Sequence, residues 1–362
     1  MPGTSGSPED PQSPGDTVTP AVTAVSDQAA APDTRAAQRR SIPITADFVR
    51  QLVNGPDAVS LTLPDGRTAN GVIQFRNRTP EGRELGVTGR LSSPGRGSFN
   101  FYLEDAGSDK GPVVGAVIFD NEEIAFSALA GPNWTSLLTE LPVDLVICRG
   151  YAALPEDALV PEEALPVEHP TTIAIPAYQN GVIPLQSNPS ATKVIYLDYD
   201  GEKGPFYGWA GSQTSTGYFD AASPNATNAE IKDVWTRVCE DYAAFNVNIT
   251  TDLQVFLNAA TNSRQRIIIT PTTDAAPGAG GVAYPNSFGE TSQRVCWSFY
   301  STGKNAAEVI SHEIGHTLSL SHDGRTSPSE GYYLGHGTDP VGWAPIMGAG
   351  YYKNLSQWSK GE

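Results

Sequence analysis

The chain has 362 residues, enough for two ordinary domains that each bury a hydrophobic core. Its formal net charge is −17, from 23 basic and 40 acidic residues. This balance argues against sequence-independent binding to nucleic acid, which requires clustered lysine and arginine. The longest apolar run, 113–119, is far shorter than the roughly 20 residues that cross a bilayer, so we expect no membrane span.

The first 44 residues are mostly Pro, Ser, Thr, Ala, Gly and Asp, with almost no large apolar side chains. Such a segment cannot bury enough surface to offset its chain entropy, so we predict that 1–44 is disordered. The start of this sequence also lacks a basic stretch followed by an apolar one, and we therefore see no signal peptide in it.

Short alternating runs characterise residues 45–152. The runs "AVSLTL" and "GVIQFR" flank "PDGRTAN", which predicts a hairpin that turns at 64–66. The runs "SFNFYLE", "VVGAVIF" and "EEIAFSAL" follow, separated by breaks that contain Gly or Pro. We predict a small all-β domain at 45–152.

Prolines dominate the next segment, 153–190, which we interpret as a linker. A second domain, 191–362, opens with the strand-like run "KVIYLDYDG". Thr227 and Glu230 have the spacing of a helical capping box. The strand candidates "NVNITT", "RIIIT", "GGVAYPNSF" and "RVCWSFY" come next.

The last predicted helix is "NAAEVISHEIGHTLSL", for which we expect Asn305 as the N-cap, with Glu308 three residues on. This order of elements indicates a mixed sheet with helices packed on it, and hence an α+β multidomain protein.

Cysteine is scarce: the chain has three, Cys148, Cys239 and Cys296. An odd number leaves at least one thiol unpaired, and at most one internal disulfide can form. None has CxxC spacing, which argues against a cysteine-based zinc finger.

Three of the five histidines fall in the stretch "HEIGHTLSLSHDG". His312 and His316 are four residues apart, so on a helix they project side by side and can bind one metal ion. Glu313 lies at the rim of the same site, where a general base would act on a metal-activated water. His322 must approach from beyond the helix end. Three imidazoles leave the fourth zinc position open, as in catalytic sites.

The stretch resembles the metzincin signature HExxHxxGxxH, and Asp323 after the third histidine is similar to the adamalysin or reprolysin-like branch. Metzincins also carry a downstream Met-turn, and "WAPIMGAGYY" supplies Met347. The resemblance covers about 191–362. It implies a metzincin-like mixed five-stranded sheet that carries the active-site helix.

The resemblance also implies the roles of individual residues. Zinc would be the cofactor, Glu313 the catalytic base, and Met347 the apolar floor beneath the metal. The implied zinc ligands are His312, His316 and His322.

Two positions depart from the family pattern. Ser319 replaces the glycine that lets the chain turn toward the third ligand, and a serine there costs about 1 kcal/mol if the left-handed conformation is kept. Ala349 stands where some branches place a tyrosine ligand. His336 is either a structural loop residue or a contact to substrate.

The implied function is that of a zinc-dependent endopeptidase, which acts on proteins or peptides and is secreted or displayed at the cell surface. The run at 280–288 would be the edge strand that binds substrate. The all-β domain would be a prodomain, and Cys148 is either a latency switch that occupies the open zinc position or a buried strand cysteine. Two alternatives are an inactive metzincin-like binding module, with recognition by the β domain, and a zinc hydrolase that is not a peptidase. The sequence leaves the oligomeric state open.

Overall fold

The structure is a computed structural model that describes residues 39–78, 83–106, 112–130, 135–148, 174–206, 209, 218–290, 294–327, 329–338 and 341–358. All of these residues belong to one compact unit, Arg39–Glu362. The predicted disordered segment therefore lies outside the described residues up to position 38, and the predicted linker does so from 153 to 173. Among the described residues, no helix is both long and apolar enough to cross a membrane.

Eight antiparallel strands form the amino-terminal sheet, in the order β1-β8-β7-β6-β5-β4-β3-β2. The strands are β1 (Ser41–Pro43), β2 (Ala58–Thr62), β3 (Thr68–Arg78), β4 (Leu85–Ser93), β5 (Gly97–Leu103), β6 (Val113–Phe119), β7 (Ile124–Ala130) and β8 (Ser136–Pro142). Strands β2 and β3 confirm the predicted hairpin, and Gly66 adopts a φ of 90° in its turn. Strand β1 lies within the segment 1–44 that the sequence predicts to be disordered. Its residues are ordered by pairing with β8, where Ile42 lies opposite Leu138.

A helix, α1 (Ala46–Asn54), packs on this sheet, so the all-β prediction is wrong here. The Thr45 side chain caps the helix by accepting a hydrogen bond from the Phe48 N–H at 3.2 Å. Phe48 and Leu52 are buried in the same core as Phe101 and Phe126 of the sheet. Nine residues are too few for helical periodicity to stand out in a sequence.

The carboxy-terminal sheet has five strands in the order β12-β9-β13-β15-β14, which confirms the predicted mixed five-stranded sheet. These strands are β9 (Lys193–Asp198), β12 (Val247–Thr250), β13 (Arg264–Ile269), β14 (Gly281–Val282) and β15 (Cys296–Ser298). The first four in this order are parallel, while β14 pairs antiparallel with β15 and forms an edge of the sheet. The predicted strand "GGVAYPNSF" is thus only two residues long.

Three helices accompany this sheet: α2 (Asn228–Asp241), α3 (Leu253–Asn258) and α4 (Gly303–Thr317). Helix α2 starts with the predicted capping box between Thr227 and Glu230. Its residue Val238 and Ile310 of α4 share a core with Ile267 of the sheet. Helix α3 was not predicted, since six residues carry little periodic signal.

Short strand pairs complete the fold. They are β10 (Glu202–Pro205) with β11 (Tyr218–Ala221), β16 (Arg325–Thr326) with β17 (Ser329–Glu330), and β18 (Trp343–Pro345) with β19 (Leu355–Gln357). Residues 185–187 run beside β12: the Thr251 N–H donates to the Leu185 carbonyl and the Ser187 N–H to the Ile249 carbonyl, each at 3.1 Å. The backbone before β9 is therefore attached to the carboxy-terminal sheet.

The two large sheets share one apolar cluster. Its members are Ala116, Ile118, Ala125, Val146, Ile147, Trp209, Phe219, Ala221, Ile268, Val282, Tyr284, Val295 and Trp297. A buried hydrogen bond of 3.1 Å from the Asn100 side-chain amide of β5 to the Tyr284 hydroxyl joins the same two parts. This shared apolar cluster lies beside β14, the edge of the carboxy-terminal sheet.

Candidate metal centre

Helix α4 carries the first two histidines of the motif, and its two ends explain how they are positioned. The helix begins at Gly303 with Thr302 at the N-cap, so the predicted N-cap Asn305 is wrong. Glu308, expected to complete a capping box, instead accepts a hydrogen bond of 2.6 Å from the Ser356 hydroxyl. That partner is 48 residues away in sequence, which no local pattern indicates.

The end of α4 turns the chain toward the third histidine. Ser319 has a φ of 74°, the left-handed conformation that usually requires glycine. The Ser319 N–H donates to the His316 carbonyl at 2.9 Å, and the Leu320 N–H donates to the Gly315 carbonyl at 3.0 Å, the pattern of a Schellman motif. The Ser319 hydroxyl also donates to the Asn286 side-chain oxygen at 2.7 Å. The serine therefore keeps the turn of the family glycine.

Backbone carbonyls orient the two helical imidazoles. The Nδ1 of His312 lies 2.8 Å from the Ile346 carbonyl, and the Nδ1 of His316 lies 2.8 Å from the Leu320 carbonyl. A carbonyl only accepts, so both Nδ1 atoms carry the proton and both Nε2 atoms present a lone pair. Those two Nε2 atoms are 3.0 Å apart. Two lone pairs this close repel each other unless a cation lies between them.

The third histidine and a cysteine from the amino-terminal part converge on the same point. The ligand atoms of Cys148, His312, His316 and His322 all lie within 4.8 Å of one another. The Sγ of Cys148 is 3.4 Å from Nε2 of His322, although 174 residues separate them in sequence. All three cysteines lie in the described part of the chain, and none forms a disulfide.

This donor set fits a tetrahedral metal ion. Two imidazole nitrogens bound to one zinc at 2.0 to 2.1 Å would lie roughly 3.3 Å apart, close to the spacing of the two helical Nε2 atoms. Nitrogen and sulfur donors are also the set that zinc prefers. The residues present are therefore chemically suited to hold zinc.

Burial keeps the three imidazoles neutral. Burial, aided by the neighbouring imidazoles, lowers the pKa of His312 well below its ordinary value of 6.5. Burial, together with the neighbouring His322, lowers the pKa of His316 to about 4. Burial also lowers the pKa of His322 to about 4. At neutral pH the three rings are uncharged, which is the form that binds a cation.

Glu313 is fully buried on the same helix, at 0% exposure. Neither carboxylate oxygen has a hydrogen-bond partner among the described residues, and burial raises the pKa of Glu313 well above its ordinary value. A buried carboxyl group without a partner is costly and is found mainly where function requires it. The backbone of Gly281 in β14 lies against it: a Cβ there would sit 2.7 Å from Glu313 Cγ.

Met347 lies beneath the helix and is 2% exposed. Its sulfur would be 2.6 Å from a Cβ at Gly315, so the glycine inside the HEIGH sequence lets the methionine approach. The Met347 carbonyl accepts a hydrogen bond of 2.8 Å from the Asp323 N–H. The predicted Met-turn residue is thus packed against the predicted active-site helix.

Sequence reasoning missed Tyr332, whose ring centroid is 4.1 Å from that of His322 and 6.2 Å from that of His312. It belongs to the short hairpin region after the third histidine, where no motif marks it. His336, by contrast, lies in an exposed loop with its Nδ1 2.8 Å from the Tyr333 hydroxyl. Tyr351 is 3% exposed and packs beside Val309.

Comparison with known proteins supports the class that the histidine cluster indicates. Residues 218–323, from β11 to the residue after the third histidine, match the family model of the reprolysin-like metallo-peptidases of family M12B. The resemblance to the reprolysin-like metzincins is therefore confirmed, and the matched segment is of the metallopeptidase class.

The solved structures that match include the crystal structure of metalloproteinase-II from Bacteroides fragilis, with 9% sequence identity over 81% of this chain and 85% of that chain. The TM-score of this pair is 0.25, which does not establish a common fold. No protein of curated function matches the chain.

Proposed function

We propose that the protein is a zinc-dependent endopeptidase that hydrolyses peptide bonds with Glu313 as the general base. The observation that carries this proposal is the convergence of three neutral imidazoles beside a buried carboxyl group with no hydrogen-bond partner among the described residues. The reprolysin-like match over 218–323 supports the same reaction class.

His312, His316 and His322 would hold the metal through their Nε2 atoms. The carbonyls of Ile346 and Leu320 fix the tautomer of the two helical rings, which directs both lone pairs to one point. Bound zinc would supply Lewis-acid chemistry, acidifying a water and polarising the substrate carbonyl. Met347 would support the His312 ring through the adjoining Ile346 carbonyl.

Glu313 would take the proton of the attacking water and return it to the leaving amine. A metal cation bound by the neighbouring histidines would favour the carboxylate form of Glu313. This effect would offset the rise in the pKa of Glu313 that burial causes. Its position against Gly281 places this base next to an edge strand. An extended peptide pairing with that edge would pass directly over the carboxylate. This arrangement supports a protein or peptide as the substrate.

We further propose that Cys148 keeps the uncleaved chain latent, and that the region around the amino-terminal sheet acts as its prodomain. The sulfur lies within ligand distance of the three histidines and would fill the position that a catalytic site leaves open. The Cys148 N–H donates to the Ala283 carbonyl at 3.0 Å, just past β14. The chain therefore enters the site along the edge that we assign to substrate. Latency of this kind fits an exported enzyme.

The binding-only alternative gains no support from this site. A module that used zinc only to bind a partner would not need a buried carboxyl group beside the histidines, since that group is destabilising. Glu313 therefore favours an enzyme.

The test uses the full zinc-loaded chain with Cys148→Ala, so that the site is open, and measures cleavage of casein. Activity should fall by on the order of 1,000-fold or more when Glu313→Gln is added. A chelator should abolish it as well. Metal analysis should still give about one zinc per chain in the glutamine variant, which separates loss of the base from loss of the metal. Undiminished cleavage by the Glu313→Gln chain would exclude the base role.

A further inference from the structure

The third histidine lies on irregular backbone, unlike the two on helix α4. His322 follows the left-handed turn at Ser319 and precedes β16. Each helical ring is fixed by a backbone carbonyl 2.8 Å from its Nδ1. Among the described residues, the only hydrogen-bond contact of the His322 ring is that of 3.4 Å between its Nε2 and Sγ of Cys148. Some other contact must orient this ring if all three histidines are to face one metal ion.

A short hairpin returns the chain to this ring. Strands β16 and β17 pair antiparallel, so the residues that follow β17 run back past His322. The Tyr333 N–H donates to the Asp323 carbonyl at 2.7 Å, and the Tyr333 carbonyl accepts from the Ala349 N–H at 3.0 Å. These two bonds fix the backbone beside Tyr332 to the third-ligand segment on one side and to the Met-turn on the other.

The ring of Tyr332 packs on the ring of His322. Their centroids are 4.1 Å apart and their planes differ by 39°. This separation is shorter than the range of about 4.5 to 7 Å that aromatic pairs usually show. Tyr332 itself packs against the buried cluster of Val309 and Tyr351. A planar ring that is supported in this way restricts rotation of the neighbouring imidazole about its side-chain bonds.

We propose that Tyr332 is the positioning residue of the third metal ligand, because its ring fixes the plane of His322 as backbone carbonyls fix the two helical rings. This inference rests on the proposed function, since it assumes the three-histidine metal centre. A ring that is already oriented loses less conformational freedom when the metal binds. Loss of the contact should therefore weaken zinc binding roughly 10- to 100-fold, as it does for other residues that orient metal ligands.

The test measures the zinc Kd of the intact chain by competition with a chromophoric chelator. The parent is the Cys148→Ala chain, so that the thiol supplies no fourth ligand. Tyr332→Ala should raise the zinc Kd roughly 10- to 100-fold. Tyr332→Phe keeps the ring and should restore the affinity of the parent. Tyr332→Leu keeps apolar bulk without a planar ring and should also weaken zinc binding; it replaces the alanine variant if circular dichroism shows that variant to be unfolded.

Tyr300→Ala is the matched control. Tyr300 packs against the same cluster, with its ring centroid 6.1 Å from that of Tyr351, and among the described residues it has no ring contact with a histidine. This variant should keep the zinc Kd of the parent.

Cobalt(II) in place of zinc gives a spectroscopic readout, because its visible absorption depends on the number and geometry of its ligands. The cobalt spectrum should change in Tyr332→Ala and stay that of the parent in Tyr332→Phe and Tyr300→Ala. Parent affinity in a folded Tyr332→Ala or Tyr332→Leu chain overturns the proposal. An equal loss of affinity in Tyr300→Ala or Tyr332→Phe overturns it too, as does an unchanged cobalt spectrum in Tyr332→Ala.

Casein cleavage by the Cys148→Ala chain tests the proposed function separately. If casein is cleaved while the Tyr332 variants bind zinc as the parent does, the positioning role fails and the peptidase stands. If the zinc affinities follow the expected order but casein is never cleaved, the proposed function fails and the positioning role stands.

Discussion

A single methyl group at Gly281 should inactivate the proposed enzyme without removing its metal. A Cβ at this position in β14 would lie 2.5 Å from Val309 Cγ1, 2.7 Å from Glu313 Cγ and 2.9 Å from Glu313 Oε1. Carbon atoms in contact prefer about 3.5 to 4.0 Å, so one of these groups must move by about 1 Å. Displacing a catalytic group by that distance lowers the rate by on the order of 100-fold.

The assay is kcat/KM for casein or a derived peptide, for Gly281→Ala in the Cys148→Ala background. Overpacking should also lower the free energy of unfolding by about 1 to 3 kcal/mol, which chemical denaturation measures. Zinc content should remain near one per chain, because the three histidines are not displaced. Gly331→Ala is the matched control, since a Cβ there meets no atom within 4 Å. If Gly281→Ala keeps the activity of this control, Glu313 does not lie where its role requires.

Three further predictions follow from buried or strained residues. Cys148→Ala should raise casein cleavage by the uncleaved chain on the order of tenfold or more, because the tethered thiol no longer competes for the metal; unchanged cleavage would eliminate the switch. Burial, and then the charge of Glu308, raises the pKa of Asp241 from 3.8 to about 7, so the folded state loses stability as the pH rises from about 4 to 7. Asp241→Asn should remove this loss, with no gain at pH 4 and a gain that reaches at most about 4 kcal/mol at pH 8, and pH-independent stabilisation in urea unfolding would refute the assignment. Ser319→Ala should lower the free energy of unfolding by about 1 kcal/mol, because it loses the hydrogen bond to Asn286 and keeps the positive φ. Ser319→Gly should recover most of that loss, and two equally stable variants would show that the left-handed turn is not strained.

The sequence was most informative where function imposes a local spacing. Histidines four residues apart on a helix must project together, so the pairing of His312 and His316 could be predicted without a structure. The capping box of Thr227 and Glu230 was predictable for the same reason, since both partners lie within one helical turn. Residues whose partners are distant gave no such signal. Asn305 has the right spacing for an N-cap, but Glu308 turns to Ser356 instead.

The sequence could not predict contacts between residues that are far apart in the chain. A cysteine in a strand-like run is usually buried in a core, so the sequence alone favoured burial of Cys148 over a latency switch. Only the packing of the shared apolar cluster, with Val146 beside Val282 in one core, brings its sulfur to His322. The same packing forms the buried hydrogen bond from the Asn100 side-chain amide to the Tyr284 hydroxyl. Both depend on contacts between elements more than 170 residues apart.

The charges of Cys148, Glu313 and the metal would couple the proposed latency of this site to its proposed catalysis. With neutral imidazoles, a Cys148 thiolate and the Glu313 carboxylate would bring two negative charges to the proposed metal site, and one divalent cation would neutralise them in this buried, low-dielectric environment. Withdrawal of Cys148 removes one negative charge, and the remaining positive charge favours both the Glu313 carboxylate and an electron-rich substrate oxygen. The proposed latent state would thus be stabilised by the same electrostatics that would drive the reaction once the site opens. On this reasoning Glu313→Gln should remove the base and one negative charge beside the metal. The metal should then bind the Cys148 thiolate more tightly. Reaction of Cys148 with a thiol reagent in the zinc-loaded chain should therefore be slower in Glu313→Gln than in the wild type, and a faster reaction would contradict this electrostatic coupling.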